Sequence, residues 1–135
     1  MMHRYFLIEP SYTDLDTFCN FTVGSGRVRA NIQIYADDSM LAGVVFALTK
    51  PDLEKEYPAF DHADDNCFLL QISVMPASNK SRIVRFRVYQ EMVDDDAPFM
   101  ADIRFLVTDA EAAEFAKDLN EWLIRKDYLF EWKPG

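Results

Sequence analysis

Three stretches of the chain alternate apolar and polar residues with a period of two. In 27–35, Val28, Ala30, Ile32 and Ile34 oppose Arg27, Arg29, Asn31, Gln33 and Tyr35. In 83–90, Val84, Phe86 and Val88 oppose Arg85, Arg87 and Tyr89. In 99–107, Ala101, Ile103 and Phe105 oppose Asp102 and Arg104. Alternation of this kind predicts strands with one face on a core and the other towards water, the habit of antiparallel sheets. The segments 67–75, 43–49, 17–23 and 5–9 read as further strands; 43–49 (Gly-Val-Val-Phe-Ala-Leu-Thr) is apolar on both sides, as a doubly covered strand would be. Turn signals at Gly24-Ser25-Gly26, Asp37-Asp38-Ser39, Pro76–Asn79 and Asp94–Pro98 separate these runs and favour hairpins.

A single period of 3.6 follows. Thr108-Asp109-Ala110-Glu111 has the spacing of a capping box, in which hydroxyl and carboxylate each satisfy an amide of the first turn. Ala112, Phe115, Ala116, Leu119, Trp122 and Leu123 then form one apolar stripe, with Glu121 placed to pair with Arg125. The aromatic tail Tyr128, Leu129, Phe130 and Trp132 suits either a last edge strand or packing beside this helix. The expected fold is α+β: a twisted, mostly antiparallel meander of about six or seven strands, with one long C-terminal helix on one face, in one domain spanning 1–135.

The segment 50–66 fits neither period. It holds two prolines, a possible helical turn at 52–56 and the cluster Asp61-His62-Ala63-Asp64-Asp65. Here charge changes the picture. The chain carries a formal net charge of −9, and 36–66 contains eight carboxylates against Lys50 and Lys55. This balance opposes binding to duplex nucleic acid or an anionic membrane and favours basic partners.

Candidate chemistry is sparse. The carboxylates around His62 lack a second histidine and miss the calcium-loop pattern, and a solvated acidic loop explains them. Asp94-Asp95-Asp96 reads as a turn. Cys19 and Cys67 sit in apolar runs without a CxxC pattern or a histidine partner, so nothing demands a disulfide or a thiol nucleophile. No cofactor or metal is expected. Arg27, Arg29, Arg85, Arg87 and Arg104, with Tyr35 and Tyr89, form a basic, aromatic face if their strands share a sheet; neutralisation by cross-strand neighbours such as Asp102 and Glu91 is the simpler account. The short apolar run at 5–8 is no signal-peptide core, which makes a cytoplasmic protein the expectation.

No motif points to a known family. The expected function is a small acidic domain that engages a basic protein through Asp52, Glu54, Glu56, Tyr57, Phe60, Asp61, Asp64 and Asp65, an immunity or inhibitor protein being one concrete form. Two alternatives stay open: a small-molecule binder or enzyme with a pocket between helix and sheet near His62, and a homodimeric structural module.

Overall fold

The computed structural model describes residues 4–12, 17–64, 68–91, 99–125 and 129–134. Strands β1 (Arg4–Tyr12), β2 (Thr17–Ser25) and β3 (Val28–Tyr35) run as an antiparallel meander into helix α1 (Asp38–Leu48). A second meander follows: β4 (Tyr57–Asp64), β5 (Phe68–Pro76), β6 (Ser81–Gln90) and β7 (Phe99–Thr108). Helix α2 (Asp109–Arg125) and the short strand β8 (Phe130–Trp132) complete the chain. The α+β class, the antiparallel pairing and the C-terminal helix are as the sequence predicts, but the strands form two sheets rather than one. The first has the order β3-β2-β1-β8 and the second β4-β5-β6-β7.

Area explains the division. Strands lie about 4.8 Å apart and a helix is about 10 Å across, so one helix covers about two strands of a seven-stranded sheet. Folding the strands into two sheets lets each cover the other's apolar face. Phe6 on β1 meets Phe86 on β6 with ring centroids 4.9 Å apart, and Phe21 on β2 meets Phe60 on β4 at 5.9 Å. Both helices fill the remaining space: α1 packs on α2, β4 and β5, and α2 on β6, β7 and β8. The buried side chains of both sheets and both helices belong to one cluster.

Three readings of the sequence are corrected. The stretch 43–48 belongs to α1, and Thr49 is its C-cap. Asp37, read as part of a turn, is its N-cap, with Oδ1 accepting from the Met40 amide at 2.9 Å. Leu41, Val44, Ala47 and Leu48 are the buried face. Second, 57–64 is a strand, and 52–56 holds no helix; Asp52 has φ 57°, a left-handed conformation that aspartate tolerates in turns. Third, Gly24 lies within β2, and the β2–β3 hairpin turns on Gly26 (φ 61°) and Arg27.

The predicted C-terminal helix matches in detail. The Glu111 amide donates to Thr108 Oγ1 at 3.0 Å, and the Thr108 amide donates to Glu111 Oε1 at 2.9 Å. Ala112, Phe115, Ala116, Leu119 and Trp122 are buried, Leu123 packs partly buried against the core, and Arg125 reaches Glu121 at 3.5 Å. The aromatic tail supplies the edge strand β8, with Phe130 and Trp132 buried and paired to β1.

Candidate functional site

Strand β4 decides where the acidic segment points. Its register against β5 shifts between Pro58 and Phe60, leaving Ala59 as an extra residue. A bulge reverses the parity of a strand. Tyr57 and Phe60, three positions apart, therefore both turn to the core side, whereas regular alternation would put one of them outside. Phe60 is buried and Tyr57 half-buried. Beyond the bulge, His62 faces Leu70 on the core side and Asp61 faces Gln71 on the outer side.

The expected partner-binding residues are thereby separated. Asp52 and Glu54 are exposed in the connection between α1 and β4, and Asp61 is exposed on the outer face of β4. Glu56 is exposed but already paired within the chain, accepting from Ser73 Oγ at 2.6 Å and from Arg85 Nη1 at 3.2 Å. Phe60 is core and offers no contact surface. The Asp64 backbone ends β4; its side chain lies outside the described residues, as do Asp65, Cys67, His3, Asp94, Asp95, Asp96 and Tyr128. The reading of 61–65 as an acidic loop is thus corrected for 61–64, which is strand.

One residue of this surface escapes sequence reading altogether. Phe46, on the outer side of α1, is 56 % exposed, and its ring lies 6.0 Å from that of Tyr57. Lys50 Nζ stands 5.5 Å from the centre of the Tyr57 ring. The signal available was the aspartate at position 37 three residues before Met40, which marks a helix start and would have placed Phe46 on a helix rather than in a doubly covered strand.

The outer face of the second sheet holds Arg85 and Arg87 of β6 and Arg104 of β7; Arg29 belongs to the other sheet and Arg27 to a turn, so the five do not form one patch. Register puts Arg85 directly opposite Arg104, a like-charge pair. Asp102 relieves it: its carboxylate takes Arg85 Nε at 3.0 Å and Nη2 at 2.6 Å, with Arg104 Nε at 3.6 Å. Neutralisation by Asp102 thus accounts for Arg85 as expected, and the second carboxylate is Glu56. A hollow of ≈ 250 Å³ beside this network is bounded by Glu56, Pro58, Asp61, Gln71, Ser73 and Arg87, and His62 is not part of its wall.

These contacts hold carboxyls below their usual range. Asp102 is lowered chiefly by its hydrogen bonds from Arg85, and Glu56 by the Ser73 hydroxyl and then by Arg85. Asp37 is lowered by Ser39 and the Met40 amide. A carboxyl whose folded-state pKa is depressed contributes stability above its unfolded value and loses it as pH falls towards the folded one. The urea midpoint is therefore expected to hold from neutrality to about pH 5 and to fall below the ordinary Glu and Asp values of 4.5 and 3.8. Arg85→Leu should make that fall shallower, which urea titrations at a series of pH values would measure.

Among the described residues, no group of three or more His, Cys, Asp or Glu side chains is placed to hold a metal ion. Nor, among them, is any helix long and apolar enough to cross a membrane. Comparison with known proteins finds no family model, no curated protein and no solved structure that matches the chain.

Proposed function

We propose that this protein is a binding domain for a basic protein, which docks on the Phe46–Tyr57 pair and the carboxylates of the connecting turn. The exposure of Phe46 carries the reading. A large aromatic ring held at the surface by a second aromatic is the kind of side chain that supplies most of the affinity at an interface. Asp52 and Glu54 lie exposed in the turn joining α1 to β4, with Lys50 and Lys55 beside them, and exposed carboxylates offer contacts to a cationic surface. The net charge of −9 acts in the same direction at longer range. An immunity or inhibitor protein that blocks a basic toxin is one form such a domain takes.

The test uses three baits against lysate of the source cells: the native chain, Phe46→Ala, and Asp52→Asn combined with Glu54→Gln. A basic protein should be retained by the native chain at low salt and released at about 0.5 M salt, where exposed charges are screened within a few ångströms. Phe46→Ala should weaken its binding by roughly thirtyfold, the effect of removing an interface hot spot. A partner held equally by all three baits, or an acidic partner, would exclude this surface.

A further inference from the structure

The two sheets have four edges, and three are blunted. Strand β8 has only three residues, β4 is bulged and closely approached by α1, and β3 presents Arg29, Asn31 and Gln33, a polar row with no opposite charge for the arginine. Strand β7 differs. Its ten residues pair with β6 without a register shift and contain neither glycine nor proline. Its outer face carries Met100 at 71 % exposure and Leu106 at 59 %. Natural edge strands of this length and character are normally interrupted, charged or covered, because they template pairing with another chain.

The direction of the β7 backbone is fixed by two contacts. The Leu106 carbonyl accepts from Arg4 Nη1, and the Thr108 amide donates to Glu111, so both point away from β6. A strand residue sends its N–H and C=O to the same side, and the side alternates along the strand. Met100, Asp102 and Arg104 therefore present their amides and carbonyls at the open edge. Among the described residues, no hydrogen bond reaches those groups.

Read along the outer face, β7 runs Met100, Asp102, Arg104, Leu106: apolar, acidic, basic, apolar. This order complements itself when reversed. We propose that the chain forms a two-fold symmetric dimer in which β7 pairs antiparallel with β7 of a second copy, centred on Ile103. Asp102 then lies opposite Arg104 of the second copy, and Arg104 opposite its Asp102. Met100 faces Leu106 at each end. Edge-facing residues meet edge-facing residues, as a hydrogen-bonded antiparallel pair requires. Centring on Asp102 or on Arg104 would instead place like charges together on the axis. Arg104 gains most, since its neighbour across β6 is Arg85 and its own carboxylate, 3.6 Å away, is shared with that arginine. The Leu106 carbonyl has a second lone pair and can keep Arg4 while accepting from Met100 of the second copy. The result is a continuous eight-stranded sheet. Because β4 and β7 are opposite edges of their sheet, the surface proposed for the basic partner stays free in both copies, and either proposal can fail without the other.

Sedimentation equilibrium of the full chain should give twice its 15.7 kDa mass, with Arg104→Glu raising the dissociation constant roughly tenfold or more, circular dichroism unchanged. Register is tested by disulfide trapping. A mixture of Met100→Cys and Leu106→Cys chains should cross-link, because directly opposed residues lie about 5.5 Å apart, within disulfide reach. Either variant alone should cross-link no more than the native chain, which controls for Cys19 and Cys67. A native chain that stays monomeric at about 1 mM, a dimer indifferent to Arg104→Glu, or equal cross-linking by single variants and mixture would overturn the proposal.

Discussion

Replacing Phe115 with alanine is expected to remove about 3–5 kcal/mol of folding stability, the usual cost of emptying a fully buried aromatic site. That is a large share of the roughly 5–15 kcal/mol that holds a domain folded. Phe115 is fully buried on α2 and sits where three elements meet. Its ring stacks on Trp132 with centroids 3.9 Å apart, and lies 5.7 Å from Phe130 and 5.9 Å from Phe6. Truncation would open a cavity between α2, β8 and β1, and β8 has only three residues with which to hold its place. Trp132 reports on this directly. Its fluorescence should shift to the red in Phe115→Ala, and the urea midpoint should fall, while Phe115→Leu should cost less than half as much because most of the volume is kept. A loss under about 1 kcal/mol for the alanine variant would show that α2 and β8 can close the gap.

Gly43→Ala is expected to destabilise the protein although alanine is the better helix former. In an exposed helix interior this change would gain up to about 1 kcal/mol. Here a Cβ would stand 2.7 Å from the Ala59 carbonyl oxygen. That oxygen belongs to the backbone of the β4 bulge, so it cannot turn aside as a side chain would. Either α1 moves off β4 or the bulge shifts and loses its pairing with β5. Overpacking of this kind costs about 1–3 kcal/mol, which outweighs the propensity gain. Gly43→Val should lose more than Gly43→Ala, and Ala42→Gly, at the exposed neighbouring position, should lose only the propensity difference of about 1 kcal/mol. Urea unfolding of the three variants separates the two effects; a Gly43→Ala protein more stable than the native chain would refute the close approach.

The sequence of α1 reads as a strand for a physical reason. Its buried residues Leu41, Val44, Ala47 and Leu48 have helical spacing, but Val45 is half-buried and Phe46 exposed, so the apolar run looks continuous. A period cannot be seen where nearly every residue is apolar. The helix exists because Asp37 caps it and because a glycine lets it lie against a bulge, and the second cause is not local. Strand β4 was missed for the opposite reason. Proline and three carboxylates in 57–66 disguise an edge strand, whose large apolar pair, Tyr57 and Phe60, has the wrong spacing until Ala59 bulges. Asp52, Glu54 and Asp61 lie at the surface, Glu56 is exposed but paired with Ser73 and Arg85, Phe60 is buried, and Phe46 stands exposed beside Tyr57.

What the chain determines by itself is whatever depends on neighbours within a turn or a pleat. The parity of β3, β6 and β7, the capping box at Thr108 and the stripe of α2 are all local. Their hydrogen bonds and exposed faces repeat every two or 3.6 residues, so the pattern of side chains records them. The tertiary structure decided the rest: the division into two sheets, the turn of Phe60 inward, the exposure of Phe46 and the open edge of β7. Each depends on which surface finds a partner far away in sequence, and burial of apolar area rewards any such partner in proportion to area alone, without regard to its position along the chain.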